Sequence, residues 1–290
     1  MSRMDEAIAL FERVTKQKAY SIYPMEQAHD HELFLINYEI VVRLGEPNSL
    51  EQPFKKDFGE YALYRVINDR QLSAPIPFLY YYSPNTFNKI EQFVGGTPIF
   101  SNGKKEEDAL AAIRALSELH SISVPSADFH LLERFKSYKK TSGKRLPANL
   151  ERKALHSVSL ILDSRKPVYC HHRLRADNVL LQDGNATLVD FEFGGLDASI
   201  MDIASLVEEN ELSSTLARKC LSYYSSLTLE SAYSYEELCD AVTFLDGYWY
   251  YYLYARYLET KEKRFLEAAE EKKKRFLFAF NGFLMGGDGQ

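Results

Sequence analysis

The chain has 290 residues, of which 46% are hydrophobic and 26% are charged, and its formal net charge is −6. This composition is typical of a globular protein with one large core or two smaller ones, and the negative charge argues against a protein whose main partner is nucleic acid. No apolar run reaches the roughly 18 to 20 residues needed to cross a bilayer, and the first residues alternate charge with hydrophobe, so we expect a cytoplasmic protein without a membrane span.

The first part of the chain predicts a small antiparallel sheet combined with two helices. Residues 5–16 and 58–72 carry apolar side chains at helical spacing. Asn37 and Tyr38 separate the first two β-favouring runs and predict a tight turn. In chain order, the β-favouring runs are residues 33–36, 40–44, 78–82 and 89–94.

The second part of the chain is predominantly helical in pattern. Residues 104–121 form the clearest amphipathic helix, and nearly everything after residue 200 follows a helical pattern. The basic stretch 137–145 is typical of a solvated loop, and a substrate lid is the alternative. Between these helical regions, two short apolar runs flank Asp183-Gly184, a dipeptide that strongly indicates a β-hairpin. The sequence therefore predicts an α+β protein.

Two oxygen-bearing side chains bracket this hairpin. Asn178 stands at its entrance and Asp190 at its exit, so the paired strands bring both side chains to the same end. Mg²⁺ prefers hard oxygen ligands, takes one or two from protein, and completes its shell with water and phosphate. The pair therefore predicts a magnesium site of the kind used in phosphoryl transfer.

The stretches HHRLRADNVLL and LVDFEFGGLDASIMDIA resemble the HxDLxxxNILL and IDWEYxxxxDPxxDLA segments of the choline kinase and aminoglycoside phosphotransferase family. The resemblance implies that His171 is the loop histidine, that Asn178 and Asp190 bind the metal, and that Asp202 braces the loop. It also implies a two-lobed, protein-kinase-like fold, with a small antiparallel-sheet N-lobe over residues 1–94 and a mostly helical C-lobe over residues 95–290.

The first lobe resembles the family less specifically. Arg43 stands where the family has a phosphate-contacting strand lysine or arginine, and Glu60 resembles its partner on the following helix. The segment from Glu91 to Val94, which includes Phe93, matches the hinge that meets adenine. ATP and Mg²⁺ are the cofactors that this resemblance implies.

Arg173 occupies the position of the family's catalytic aspartate. A guanidinium group stays protonated and offers only donors, so it cannot accept a proton from an alcohol. Its charge has two possible uses: it pairs with Asp190 or Glu192, or it holds an anionic phosphate in a forked contact. Asp177 is the alternative base if the role has moved along the loop.

A second departure lies between the opening helix and the first strand. The family has a glycine-containing phosphate loop there, whereas this chain has YPMEQAHDHE. Glycines let backbone N–H groups approach phosphate closely, and the acidic Glu26, Asp30 and Glu32 would repel it. This loop predicts weaker binding of the ATP phosphates.

The helix that contains FLDGYWYYYLYARY predicts either a substrate pocket or an aromatic core. Trp249 and Tyr252 share one of its faces, and cation–π attraction explains why a quaternary ammonium group binds such rings. Asp246 and Glu192 are the candidate counter-charges. The cysteine before His171, the position of Glu192 and these aromatic helices most resemble bacterial choline kinases.

Two functional hypotheses follow from these residues. The first is a choline kinase-like phosphotransferase that transfers phosphate from ATP to a small cationic alcohol, such as choline or another amino alcohol, with activity weakened by Arg173. The second is a pseudokinase that keeps the fold and a ligand pocket as a binding or scaffold protein but transfers no phosphate.

Overall fold

A computed structural model gives the fold of residues 2–25, 32–45, 50, 51, 53, 54, 59–125, 127–229 and 232–285, with side chains described up to residue 279. Glu26 and Asp30 of the predicted acidic loop lie outside the described residues, whereas Glu32 begins a strand. Phe58, the first residue of the second predicted helix, also lies outside them.

An antiparallel five-stranded sheet forms the N-terminal part. In spatial order its strands are β1 (Ile22–Pro24), β2 (Glu32–Ile36), β3 (Ile40–Leu44), β5 (Lys89–Gln92) and β4 (Leu79–Tyr82). The predicted turn between β2 and β3 is present, with Asn37 and Tyr38 in the left-handed region at φ values of 56° and 60°. This backbone geometry joins twisted antiparallel strands tightly, which sets the register of the sheet.

The two faces of the sheet contact different parts of the protein. Helix α1 (Arg3–Thr15) begins at a capping box on Ser2 and packs its apolar face against one side. Because side chains alternate along a strand, Val42 and Ile90 face α1, whereas Arg43 and Lys89 point to the opposite side and contact Glu60 of helix α2 (Gly59–Arg70). The apolar face of the sheet stabilises it, and the polar face borders the cleft.

Helices dominate the C-terminal part. They are α3 (Glu106–His120), α4 (Leu131–Ser142), α5 (Ala148–Ser164), α6 (Ile200–Glu209), α7 (Ser214–Leu227), α8 (Tyr235–Thr260) and α9 (Lys263–Met285). Helix α8 begins at a capping box on Ser234 and packs against α4, α5, α6 and α9. The short strands between the helices are β6 (Thr97–Pro98), β7 (Val168–Cys170), β8 (Val179–Gln182), β9 (Asn185–Leu188) and β10 (Gly195–Asp197).

The stretch 137–145 is not the loop that its composition predicts. Helix α4 continues to Ser142 because Phe135 and Tyr138 extend its buried face towards α8. The helix ends at Gly143, whose φ of 62° is the left-handed conformation that glycine adopts most readily at a helix C-terminus. Burial of two aromatic rings therefore outweighs the basic, polar composition of the segment.

The predicted β8–β9 hairpin is present and defines one edge of the cleft. Asp183 and Gly184 form its turn with φ values of 52° and 77°. Asn178 immediately precedes β8, and Asp190 follows two residues after the end of β9. The hairpin therefore brings the two predicted metal ligands to the end of the strands that is opposite to the turn.

Two apolar clusters agree with the predicted α+β class. One joins α1 to the five-stranded sheet, and the other fills the helical part. Leu63 and Val66 of α2 belong to the second cluster, so the predicted lobe boundary at residue 94 stays a prediction. Among the described residues, every helix is either too short or too polar to span a bilayer.

Candidate active site

A cavity of about 330 Å³ lies between the polar face of the sheet and the β8–β9 hairpin. Its volume falls within the range of small-molecule sites, roughly 300 to 1,000 Å³. Most of the predicted cofactor and metal residues line it, together with apolar side chains from both parts. The lining residues are Met25, Leu33, Val41, Arg43, Pro77, Lys89, Glu91, Gln92, Phe93, Val94, Pro98, Asp177, Asn178, Leu180, Val189 and Asp190.

A network of four buried charges forms one wall of this cavity. Glu60 binds the two Nη atoms of Arg43 at 3.2 and 2.6 Å and the Nζ of Lys89 at 2.9 Å. Lys89 also lies 2.8 Å from Glu91, which accepts a hydrogen bond from Tyr64 at 3.0 Å. Burial raises the pKa of Glu60, but Arg43 and Lys89 outweigh it and lower that pKa to about 2. Glu60 therefore stays ionised at neutral pH.

The sequence patterns above predicted no site role for Lys89, although its position in the strand could have indicated one. Lys89 and Glu91 are two residues apart on a strand, so they share a face, and Lys89 stands opposite Arg43 in the neighbouring strand. Arg43 and Glu60, which the resemblance predicts as partners, do form an ion pair.

The two predicted hinge residues both border the cavity. The carboxylate of Glu91 is engaged by Lys89 and Tyr64, and the backbone N–H of Phe93 donates to the carbonyl of Glu39 at 2.7 Å. The role of Glu91 and Phe93 in meeting adenine stays a prediction.

The loop that precedes Asn178 is held by a buried carboxylate. Asp202 accepts the backbone N–H groups of His171 and His172 at 2.8 and 2.7 Å, and His120 lies 3.0 Å from the same carboxylate. Burial raises the pKa of Asp202, but the hydrogen bond with His120 and the nearby histidines lower it overall. Asp202 therefore braces the loop from inside the helical part, because it is a fully buried anion with three donors around it.

The two histidines of this loop are structural in this arrangement. The Nε2 of His171 lies 2.8 Å from the carbonyl of Val189, and burial lowers the pKa of His171. His172 has a left-handed backbone with φ of 65°, stacks on Phe129 at 3.6 Å, and lies 3.2 Å from Asp197. Together they link the loop to the segment that carries Asp190.

Asn178 and Asp190 present oxygen atoms to the same cavity. The Nδ2 of Asn178 donates to the carbonyl of Arg173 at 2.9 Å, which leaves its Oδ1 as the atom available to a ligand. The carboxylate of Asp190 is 23% exposed and lies 4.0 Å from Arg43. One amide oxygen and one carboxylate are a donor set that suits Mg²⁺. The residues therefore fit the predicted metal.

The side chain of Arg173 points into the helical part and lies against two aromatic rings. The residue is 7% exposed, and its guanidinium carbon lies 5.2 Å from the centre of the Phe193 ring and 5.3 Å from that of Trp249. Asp190 lies 4.0 Å from Arg43, and the charges of Glu192 and Asp190 act on Arg173. Its Nε has no hydrogen-bond acceptor.

Asp177, the alternative base, faces a cation of its own loop. The Nε and Nη2 of Arg175 lie 3.1 and 3.4 Å from its two carboxylate oxygens, and the Asp177 side chain is 41% exposed. Asp177 does line the cavity. A base role would require the carboxylate to leave Arg175, and it stays a prediction.

The predicted substrate residues have different partners in the structure. Trp249 and Tyr252 lie against Phe193 near Arg173, and the charge of Glu192 acts on Arg173 as well. Asp246 lies instead in a buried cluster of charged residues between α6, α8 and α9. The other members of this cluster are Glu208, Lys272 and Arg275.

The Asp246 carboxyl group lies 3.1 Å from Arg275 of α9, so it already has a partner within the protein, and its role towards a substrate stays a prediction. Phe193 was missed, although its position three residues after Asp190 was a possible signal.

Comparisons with known proteins agree with this geometry. The sequence model of the phosphotransferase enzyme family matches residues 27–234, more than half of the chain. A 59-residue segment is 39% identical to the protein LicA of Haemophilus influenzae; it covers 20% of this chain and 22% of that protein. The chain thus spans about a fifth of the length of this curated relative.

Solved structures show the same fold over nearly the whole chain. The choline kinase LicA from Streptococcus pneumoniae is 16% identical, with a TM-score of 0.77 over 97% of this chain and 100% of that chain. The ADP-bound aminoglycoside phosphotransferase APH(2'')-Ib is 20% identical, with a TM-score of 0.62 over 92% of this chain and 96% of that chain. These likenesses confirm the predicted two-lobed, kinase-like α+β fold.

Proposed function

The chain belongs to the phosphotransferase enzyme family, and we propose that it binds ATP in the cleft and transfers the terminal phosphoryl group to a small alcohol at a reduced rate. One observation carries this proposal. Asn178 and Asp190 line the same cavity as the buried cations Arg43 and Lys89. Oxygen ligands for a metal and fixed positive charges thus face one space, which is the arrangement that nucleotide phosphates require.

The chain's own residues would position the nucleotide. Glu60 holds Arg43 in place, and the guanidinium of Arg43 lies towards Asp190 at the cavity wall. Mg²⁺, when bound by Asn178 and Asp190, would neutralise charge on the phosphates. The ADP-bound aminoglycoside phosphotransferase with the same fold supports a nucleotide ligand for this chain. The acidic residues Glu26, Asp30 and Glu32 stand in the sequence where relatives have a glycine-containing phosphate loop, so we propose an affinity below that of a glycine-rich relative.

The proposed reduction in rate comes from Arg173. In phosphoryl transfer the alcohol oxygen bonds to phosphorus as the bond to ADP breaks, and the alcohol proton must move to an acceptor. Without a carboxylate base, that proton must pass to water or to a phosphate oxygen. Loss of a placed base costs on the order of 10²- to 10⁴-fold, whereas positioning and electrostatic stabilisation supply most of the catalysis in this reaction class.

The proposed acceptor is a small alcohol. One similar structure is a choline kinase and another is an aminoglycoside phosphotransferase, so both amino alcohols and amino sugars belong in the panel of test compounds. Choline is the acceptor that the resemblance implies and is the first compound to assay.

A second candidate function is nucleotide binding without transfer. The specific observation in its favour is that Arg175 binds Asp177, the alternative base, while Arg173 lies against Trp249. Arg173 stands where the resemblance places the family's catalytic aspartate. A pseudokinase of this kind would use the cleft as a ligand-controlled binding surface.

One pair of measurements separates the two candidates. The melting temperature is recorded with and without Mg-ATP, and transfer of phosphate from labelled ATP to the alcohol panel is measured at high enzyme concentration. A melting shift with slow, Asn178-dependent transfer supports the phosphotransferase. A shift without any product supports the pseudokinase, and the absence of a shift with every nucleotide contradicts both.

A further inference from the structure

The guanidinium of Arg173 covers two aromatic faces. Its carbon lies 5.2 Å from the ring centre of Phe193 and 5.3 Å from that of Trp249, within the distance at which a cation is attracted to a ring. Phe193 comes from the turn after Asp190, and Trp249 from the middle of α8. Two segments that are distant in sequence thus converge on one charged group.

Phe193, Trp249 and Tyr252 form a three-ring cluster with no space between the rings. Their centres are 5.3, 5.6 and 5.4 Å apart, and each pair is close to perpendicular. All three side chains are buried. Arg173 therefore lies over two members of a buried aromatic cluster.

The surroundings of Arg173 favour a positive charge. The carboxylates of Glu209, Glu192 and Asp190 act on Arg173 through their charge, and its Nε has no hydrogen-bond acceptor. Aromatic faces with negative charge nearby are an environment in which proteins hold an organic cation.

We propose that the guanidinium of Arg173 occupies a cation site on the three-ring cluster. By occupying this site, it excludes quaternary ammonium ligands. We therefore expect the cleft to accept an alcohol without a quaternary ammonium group and to reject choline, the acceptor that the resemblance implies. This inference rests on the proposed function in one respect, which is that the cluster lies beside the alcohol site.

The cation in this site is a side chain of the protein and not a free ion, so a single substitution can empty the site. Arg173 is covalently attached, so it competes with a free cation at a very high effective concentration. Truncation to alanine removes the guanidinium and most of the side chain, while Phe193 and Trp249 keep their partners in the cluster. The substitution leaves the two aromatic faces without the cation that lies over them.

Trp249 is the single tryptophan of the chain, so its fluorescence reports on this site. We expect tetramethylammonium chloride, titrated against sodium chloride at constant ionic strength, to give no saturable change in wild-type emission. In Arg173→Ala we expect a saturable change, with an affinity at least about 10-fold higher than any wild-type response. Arg173→Met, which fills the space without a charge, is the matched control and should not respond.

The result that overturns the inference is a saturable wild-type response as strong as that of Arg173→Ala, or a folded Arg173→Ala that does not respond. If Arg173→Ala fails to fold, Arg173→Ser supplies a second emptied site for the same titration. The melting shift with Mg-ATP is recorded for every variant. If Mg-ATP gives no melting shift in the wild type, the proposed function is contradicted. The tetramethylammonium titration tests the role of Arg173 independently of that result.

Discussion

Arg43 and Lys89 lie directly opposite each other on the adjacent antiparallel strands β3 and β5, and both bind the carboxylate of Glu60. Like charges in such a cross-strand pair repel, so the pair persists because Glu60 and Glu91 compensate it. Two buried cations and two buried anions make the wall of the cleft neutral in sum, while both cations line the cavity. Glu60 is therefore the residue on which this wall depends.

Glu60→Gln should destabilise the protein strongly, because it leaves Arg43 and Lys89 buried opposite each other without their shared anion. Removal of one partner from a buried ion pair costs about 3 to 5 kcal/mol of unfolding free energy. Urea unfolding measures this loss. The matched control is Asp69→Asn, which breaks the exposed pair with Arg65 at 3.5 Å and should cost less than about 1 kcal/mol. Equal effects in both variants would contradict the account of the cleft wall.

Glu60 should also make the stability of the protein depend on acidic pH. The pKa of Glu60 is lowered to about 2 from an ordinary 4.5, so its stabilising contribution is complete above pH 4.5 and is lost as the pH falls through about 2. The difference in unfolding free energy between wild type and Glu60→Gln should therefore shrink as the pH falls over that window. Urea unfolding at a series of pH values checks this, and a constant difference would refute it.

Asp246 should make stability depend on alkaline pH. Burial and the neighbouring Glu208 raise the pKa of Asp246 to about 9, against the opposing charges of Arg275 and Lys272. A carboxyl group with a raised pKa stabilises the fold most at low pH, and this contribution is lost as the pH rises from about 4 through about 9. Between pH 6 and 9 the wild type should lose roughly 2 to 4 kcal/mol more than Asp246→Asn.

The control for this comparison is Asp240→Asn, a half-buried aspartate of the same helix, which should leave the pH profile unchanged. Parallel profiles for wild type and Asp246→Asn would show that Asp246 is ionised throughout and paired with Arg275.

Asp190→Asn should remove the magnesium-dependent part of nucleotide binding. Its carboxylate is the charged oxygen ligand that faces the cavity beside Asn178. We expect the melting shift with ATP to be the same with and without Mg²⁺ in this variant, whereas Mg²⁺ increases the shift in the wild type. Asp183→Asn, in the exposed turn of the same hairpin, is the control and should behave like the wild type. A preserved magnesium effect in Asp190→Asn would exclude this residue as a ligand.

Arg173→Asp should raise the rate of phosphoryl transfer. The substitution supplies a carboxylate at the base position, and a placed base is worth on the order of 10²- to 10⁴-fold. Arg173→Asn is the matched variant, since it removes the guanidinium equally but cannot accept the proton. We expect at least a tenfold higher rate for the aspartate variant than for the asparagine variant, measured with labelled ATP and the same alcohol. Equal rates would mean that proton acceptance does not limit the reaction.

Short-range patterns account for what was predictable from the sequence. The Asp183-Gly184 turn fixes the register of the β8–β9 hairpin, and this local geometry brings Asn178 and Asp190 to one end of it. The alternation along β3 similarly places Arg43 on the face opposite to α1. Each of these conclusions depends on residues close together in the chain, where the periodicity of a strand or turn decides the direction of a side chain.

Contacts between distant segments decided the rest. No local pattern could show that Arg173 covers Trp249, that α9 brings Arg275 to Asp246, or that two aromatic rings extend α4 through a basic stretch. The sequence by itself determined the family, the fold class and the hairpin with its paired oxygen ligands. Only the tertiary structure decided which charges meet, because the direction and the partner of a buried ion depend on helices that pack together from far apart in the chain.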